Sequence, residues 1–294
     1  MAARKVGRED GVDARRIVLA PEFLPRVEQL AARTRARRAR EDLGLRRGTG
    51  RGVEFEGHRP YRAGEDLRDL DWELLARTNQ PFVRVRRAEL GEHWAILLDT
   101  SGSMGLGSPP KLQRAAEVAL AVGFVALGLG VASELVVHGE AGAVQARPLR
   151  SRADFARWVE LVGMLRADGR RPVEQLLASP RLARARRVIV IGDLLDLQPA
   201  QVLSLVRPGK RVATLRVLAP HELAPELSDG VEWLDPETGA RVEAQLDERT
   251  VDAYGRSLEA TLSAWRDAFA RRGQLARVAS SAEPFEPLAG SLFE

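Results

Sequence analysis

Two short apolar runs, each ending at an aspartate, constrain this chain more than any other feature. WAILL (94–98) leads into Asp99, and VIVIG (188–192) leads into Asp193. Runs of that length are too short for helices and too uniformly apolar for a half-exposed strand. They suit strands of a sheet that is covered on both faces. Around them, helical patterns near 111–128, 153–165, from Pro172 onward and near 199–206 alternate with strands at 134–138 and 211–218. A segment at 142–147 reads as the second arm of a hairpin through HGEAG. Because parallel neighbours need a crossover and helices supply it, this βαβ order predicts an α/β fold. Its sheet is mainly parallel and of Rossmann type, with helices on both faces. A hairpin around LDPETGA (234–240), a long helix at 248–272 and a strand at 275–279 complete the chain.

The first 92 residues follow another rhythm. Residues 1–20 have mixed charge and no periodicity. From Pro21 to Asp42 a helix is expected, since Leu24, Val27, Leu30 and Ala31 share a face. GLRRGTGRG (44–52) reads as a basic linker, and 53–89 as short strands and turns punctuated by Pro60, Gly64 and Pro81. The expected division is therefore a mobile terminus at 1–20, a helix and short-strand segment at 21–92, and the α/β domain at 93–294.

Apolar residues make up 45% of the 294, enough for one large core plus an appendage. The absence of cysteine removes disulfides, thiolate metal sites and cysteine nucleophiles. The longest uncharged stretch, Val118–Ser133, is sixteen residues between Glu117 and Glu134, too short to span a bilayer. No signal-peptide core opens the chain, so a cytoplasmic protein without a membrane partner is expected. The net charge of +4 and pI near 10.0 raise a nucleic-acid reading. Residues 26–51 alone carry nine arginines against three acids, yet lack the interleaved aromatics of single-strand binders. A solvated basic helix is the preferred reading of that segment.

Asp99 is followed by Ser101 and Ser103, three oxygen-bearing side chains at alternate positions just past a strand end. If the two apolar strands are neighbours, Asp193 joins them, and two carboxylates with two hydroxyls suit Mg²⁺, a hard cation that takes six oxygens. The rival reading is that these residues merely cap the helices that follow. No P-loop occurs, since PGKR (208–211) lacks the glycine-rich approach and the hydroxyl after lysine. No G-x-S-x-G elbow occurs either, and the four histidines are scattered.

LLDTSGSM resembles the metal-ion-dependent adhesion site of a von Willebrand factor A (vWA) domain. GVEFEGHRPYRAGEDLRDLDWELLARTNQPFVRVRRAE (52–89) resembles the signature of the vWA-like family catalogued as domain of unknown function 58. The match falls on Arg59, Tyr61, Gly64, Asp66, Arg68, Asp71, Trp72, Ala76 and Arg77. WLDPETG (233–239) and VDAYGRSLEA (251–260) are similar to that family too. The resemblance implies a vWA-like fold, a metal site on Asp99, Ser101, Ser103 and Asp193, and a MoxR-type AAA+ ATPase as partner. In the vWA mode an acidic side chain of the partner completes the coordination of the ion. One departure stands out: the threonine of the family pattern falls near Arg171, with Pro172 after it, and no threonine occurs between Thr100 and Thr214. A guanidinium close to the two carboxylates would compete with Mg²⁺, whereas one turned to solvent would leave the ion held by fewer ligands. Weak or absent binding is expected, strengthened by Arg171→Thr. The Arg and Asp residues of 59–77 are expected to fasten the short-strand segment by ion pairs rather than to catalyse. The preferred function is a non-enzymatic adaptor. A metal-dependent hydrolase using Asp99 and Asp193, or a nucleic-acid binder through 26–51, are the alternatives.

Overall fold

The computed structural model describes residues 17–46, 55–60, 72–78, 80–86, 93–139, 142–168 and 171–293. Two compact units emerge: one from the residues up to Thr34 together with those from His93 onward, and one from Arg35–Glu92. In the smaller unit, β1 (Phe55–Pro60) and β2 (Phe82–Arg86) form an antiparallel pair that sets Arg59 opposite Val83. The remaining signature residues from Tyr61 to Asp71 lie outside the described residues, so the ion-pair expectation placed on them does too.

The first helix, α1, spans Phe23–Arg46 and overruns its expected end at Asp42. Only Gly44 interrupts good helix formers there, and one glycine costs about 1 kcal/mol, too little to stop a helix unaided. The short α2 covers Trp72–Thr78.

The larger unit is built on a six-stranded sheet in the order β10-β7-β6-β3-β4-β5. Its strands are β3 (His93–Leu98), β4 (Ala132–His138), β5 (Val144–Leu149), β6 (Arg187–Gly192), β7 (Arg211–Leu218) and β10 (Leu275–Ser280). All neighbours are parallel except β4 and β5, the expected hairpin. A separate antiparallel pair, β8 (Ser228–Leu234) and β9 (Arg241–Leu246), flanks the DPETG turn.

Alternation along the strands explains the two layers of core. Trp94, Ile96 and Leu98 face one side with Leu135, Ile189, Ile191 and Leu215. Against them pack α3 (Lys111–Gly128), α4 (Arg152–Met164), the start of α1, and α9 (Phe285–Ser291). Ala95, Leu97, Val188, Val190 and Val212 face the other side, where α5 (Val173–Leu177), α6 (Pro199–Leu203) and the long α8 (Glu248–Ala270) supply Val173, Leu176, Val202, Trp265 and Phe269. A four-residue turn of helix, α7 (Pro220–Leu223), follows β7. Helix α3 is alanine-rich and buried nearly all round, which lets it lie close to the sheet. Gly123 on α3 admits the Trp158 ring of α4; a Cβ there would sit 2.4 Å from it. Helix α9, unforeseen in the sequence, anchors α1: Phe23 packs on Phe285 at 4.9 Å, and Arg26 pairs with Glu286 while lying over the Phe285 ring. One of the nine arginines of the basic segment is thus used within the fold. Among the described residues no helix is long and apolar enough to cross a membrane.

Candidate functional site

The chain leaves β3 toward β4 on one side of the sheet, and returns to β6 on the other side of β3. Loops after β3 and β6 therefore diverge, opening a crevice beyond their carboxyl ends, the place where open α/β sheets bind ligands. The strands pair with Leu98 opposite Ile191, and the Asp99 amide donates to the Ile191 carbonyl at 2.9 Å. Asp99 and Asp193 consequently enter one cleft of about 300 Å³, together with Ser101, Arg171, Glu174, Asp196 and Glu237. Gly192 makes the approach feasible: a Cβ at that position would stand 2.5 Å from Asp99 Cβ and 2.7 Å from its Oδ2.

The Asp-Ser-Ser loop turns on itself. The Ser101 amide donates to Asp99 Oδ1 at 2.9 Å, and the Ser101 and Ser103 hydroxyls are 3.1 Å apart. Neither serine caps a helix: α3 begins at Lys111, after Pro110, and the short turn at Gly102–Gly105 receives no side-chain cap from Ser101. Asp193 likewise does not open a regular helix, since α6 starts only at Pro199 with Gln198 before it. Of the sequence-predicted site residues, Asp99, Ser101, Ser103 and Asp193 come together; Arg171 stands at the cleft wall but turned to other partners. Its guanidinium is 3.8 Å from the Asp168 carboxylate and 3.5 Å from the Thr100 hydroxyl.

The positive charge facing Asp193 comes instead from Lys111. Its ammonium is fully buried and donates to Asp193 Oδ2 at 2.8 Å and to Glu222 Oε1 at 2.7 Å. Burial opposes that charge, but Asp193 and Glu222 outweigh it and raise the lysine above its ordinary range. Glu222 is itself fixed, accepting from the Ala219 amide at 2.6 Å. Among the described residues Asp99 has no such partner. Burial first and Asp193 second push its carboxyl up to about 7, against the Ser101 hydrogen bonds and Lys111. The cleft thus carries one carboxylate met by an ammonium and one left short of positive charge.

A second buried cation shapes the turn after β6. Arg216 of β7 donates from Nε to the Asp193 carbonyl at 3.0 Å and from Nη2 to the Leu194 carbonyl at 3.4 Å, with its guanidinium over Trp265 at 5.0 Å. Leu194 between them adopts φ +52, the left-handed region that a branched residue enters at a cost. Such strain persists only where surrounding contacts impose it, and here Arg216 holds both carbonyls that flank the residue.

Above the Asp-Ser-Ser loop lies the β8–β9 turn. A Cβ at Gly102 would meet the Pro236 carbonyl oxygen at 2.6 Å, so only glycine lets the turn sit this low. Glu237 projects from that turn into the cleft. Partial burial first, then the nearby Asp196, Asp193 and Asp235, raise its carboxyl. Among the described residues no three acidic or histidine side chains close on a single point. The donors are all oxygen, and a carboxyl short of positive charge sits at their centre, a set that fits a hard divalent cation better than zinc.

Lys111, Glu222, Arg216 and Glu237 were not singled out from the sequence. A signal existed for the first: the chain has 45 basic residues but only three lysines, so a lysine opening the helix after Asp-Ser-Ser is unusual for this composition.

Residues 57–261 match the family model described as "Protein of unknown function DUF58". Uncharacterized protein Rv1480 of Mycobacterium tuberculosis H37Rv is 26% identical over 220 residues, covering 72% of this chain and 69% of its own. Uncharacterized protein Mb1516 of Mycobacterium bovis gives the same figures. Among solved structures, the conserved hypothetical protein BatB from Bacteroides thetaiotaomicron aligns over 68% of this chain and 96% of its own at 12% identity, with a TM-score of 0.41. An aerotolerance-related membrane protein from Bacteroides fragilis aligns over the same shares at 14% identity, with a TM-score of 0.38.

Proposed function

The chain belongs to the DUF58 family, and from that premise we propose that it is a cytoplasmic, non-enzymatic docking module with a vWA-like fold. Its cleft takes a divalent cation such as Mg²⁺ and through it engages an acidic side chain of a partner. The observation that carries this reading is the convergence of Asp99, Ser101, Ser103 and Asp193 at the ends of two adjacent central strands. Asp99 and Asp193 would hold the ion with the two serine hydroxyls, and the ion would supply the positive charge that Asp99 lacks. Arg171, engaged with Asp168 and Thr100, leaves the approach to the two aspartates open. The partner class that the family resemblance favours is a MoxR-type AAA+ ATPase.

The chemistry of the cleft supports docking over turnover. The Ser101 and Ser103 hydroxyls lie against each other, and the Ser101 amide is held by Asp99. The raised Asp99 carboxyl is accounted for by burial beside Asp193, with no proton-transfer role needed. The test is affinity capture of the ATPase by the tagged chain, wild type and Asp99→Ala, with and without chelator. Capture that needs both the ion and Asp99 supports the reading; equal capture in all four samples removes it. Steady hydrolysis of a phosphate ester by the wild type, lost in Asp99→Ala, would favour the hydrolase instead.

A further inference from the structure

We propose that Glu237 is an internal ligand of the cleft: the β8–β9 turn seats its side chain over the Asp-Ser-Ser loop, on the path by which a partner's acid would approach. The inference rests on the divalent docking reading above and adds a residue, a segment and a consequence to it.

Two observations place Glu237 there. It lines the same cleft as Asp99, Ser101 and Asp193. The turn that carries it is seated on the Asp-Ser-Ser loop itself, since the Pro236 carbonyl occupies the space a side chain at Gly102 would need, and Glu237 Cγ lies 3.4 Å from the same point.

The turn is built to hold that pose. Asp235 accepts from the Glu237 amide at 2.8 Å and the Thr238 amide at 3.4 Å. The Gly239 amide returns to the Asp235 carbonyl at 2.8 Å, and Gly239 takes φ +73, which suits glycine. A loop stiffened in this way presents one side chain in one place. What it presents is an acid, in a cleft that Asp99, Glu174, Asp193 and Asp196 also line. Like charges gathered on a surface turn would ordinarily push it outward. Their retention at the mouth of an oxygen-lined cleft is explained if a cation between them is the normal occupant. A carboxylate from outside would then have to displace Glu237, so the turn sets a threshold for docking.

The test is calorimetry with Mn²⁺ on the full-length wild type, Glu237→Gln and Asp99→Asn, with hydrogen exchange read across residues 228–246. Loss of one ligand should weaken Mn²⁺ binding by about tenfold or more. Mn²⁺ should also slow exchange in the 235–240 turn of the wild type and leave that of Glu237→Gln unchanged. Asp99→Asn should abolish binding. Glu237 is partly exposed, so this variant should fold, and thermal unfolding checks it. Equal Mn²⁺ affinity and equal turn protection in Glu237→Gln, alongside loss in Asp99→Asn, would overturn the internal ligand and leave the docking reading standing. No binding by the wild type would overturn both.

Discussion

Replacing Lys111 by methionine isolates the ammonium at the centre of the site. Methionine keeps most of the apolar stem and removes only the charge, so packing of α3 should survive. The ammonium has no exposed surface and serves two carboxylates at 2.8 and 2.7 Å. Removing one member of a buried ion pair costs about 3–5 kcal/mol, because the partner is left charged and unmatched. Here Asp193 and Glu222 are both left, which favours the upper end. In a domain of this size that is about 6–20 °C in melting temperature. The assay is urea unfolding in chelator at two pH values. Carboxylates stripped of their cation titrate higher in the folded state than in the unfolded state. Stability of the variant should therefore fall as pH rises, and its deficit should be larger at alkaline than at mildly acid pH. Adding Asp193→Asn and Glu222→Gln to Lys111→Met should recover most of the loss, since no orphaned charge remains. A deficit below about 1 kcal/mol for the single variant, the size of an ordinary substitution, would refute the claim that Lys111 neutralises the cleft.

Gly192→Ala should leave the strand intact but push Asp99 from its place, given the 2.5 Å approach, and weaken Mn²⁺ binding measured by calorimetry. Arg171→Thr removes a cation from the cleft wall and adds a hydroxyl, so divalent affinity should rise; unchanged affinity would show that a guanidinium engaged with Asp168 and Thr100 exerts no influence on the ion. His93 is held below its ordinary pKa by burial first, with Arg150 and Arg184 in the same direction and Glu134 opposing. Its contribution is therefore present above the unfolded-state value of 6.5 and lost on acidification, and His93→Gln should flatten the fall in unfolding free energy across that range.

The strands were legible because burial on both faces leaves continuous apolar runs, as in WAILL and VIVIG, bounded by turn residues. Asp99 and Asp193 were legible for the same reason: a charged residue at the end of such a run has to sit where the sheet opens. The β4–β5 hairpin and the DPETG turn followed from their glycines. What stayed hidden was the charge balance of the cleft. Lys111 meets Asp193 across 82 residues and Glu222 across 111, and local pattern carries no record of such pairings. From its position in the loop Arg171 could have faced the aspartates or solvent, and the structure instead sets its guanidinium beside Asp168 and Thr100. Arg216 sits in a run, ATLRVL, whose apolar pattern gave no hint that its guanidinium would clamp the turn after β6. Helix α9 was missed because seven residues with an internal proline make a weak periodic signal.

The most direct test of the account is the position of the ion. Crystals of the wild type grown with Mn²⁺ and measured at its absorption edge should show one anomalous peak in the cleft bounded by Asp99, Ser101, Ser103 and Asp193, absent from Asp99→Asn crystals grown alongside. A wild-type cleft without a peak at saturating Mn²⁺, with Lys111 still bonded to Asp193, would contradict the claim that this site docks its partner through a divalent ion.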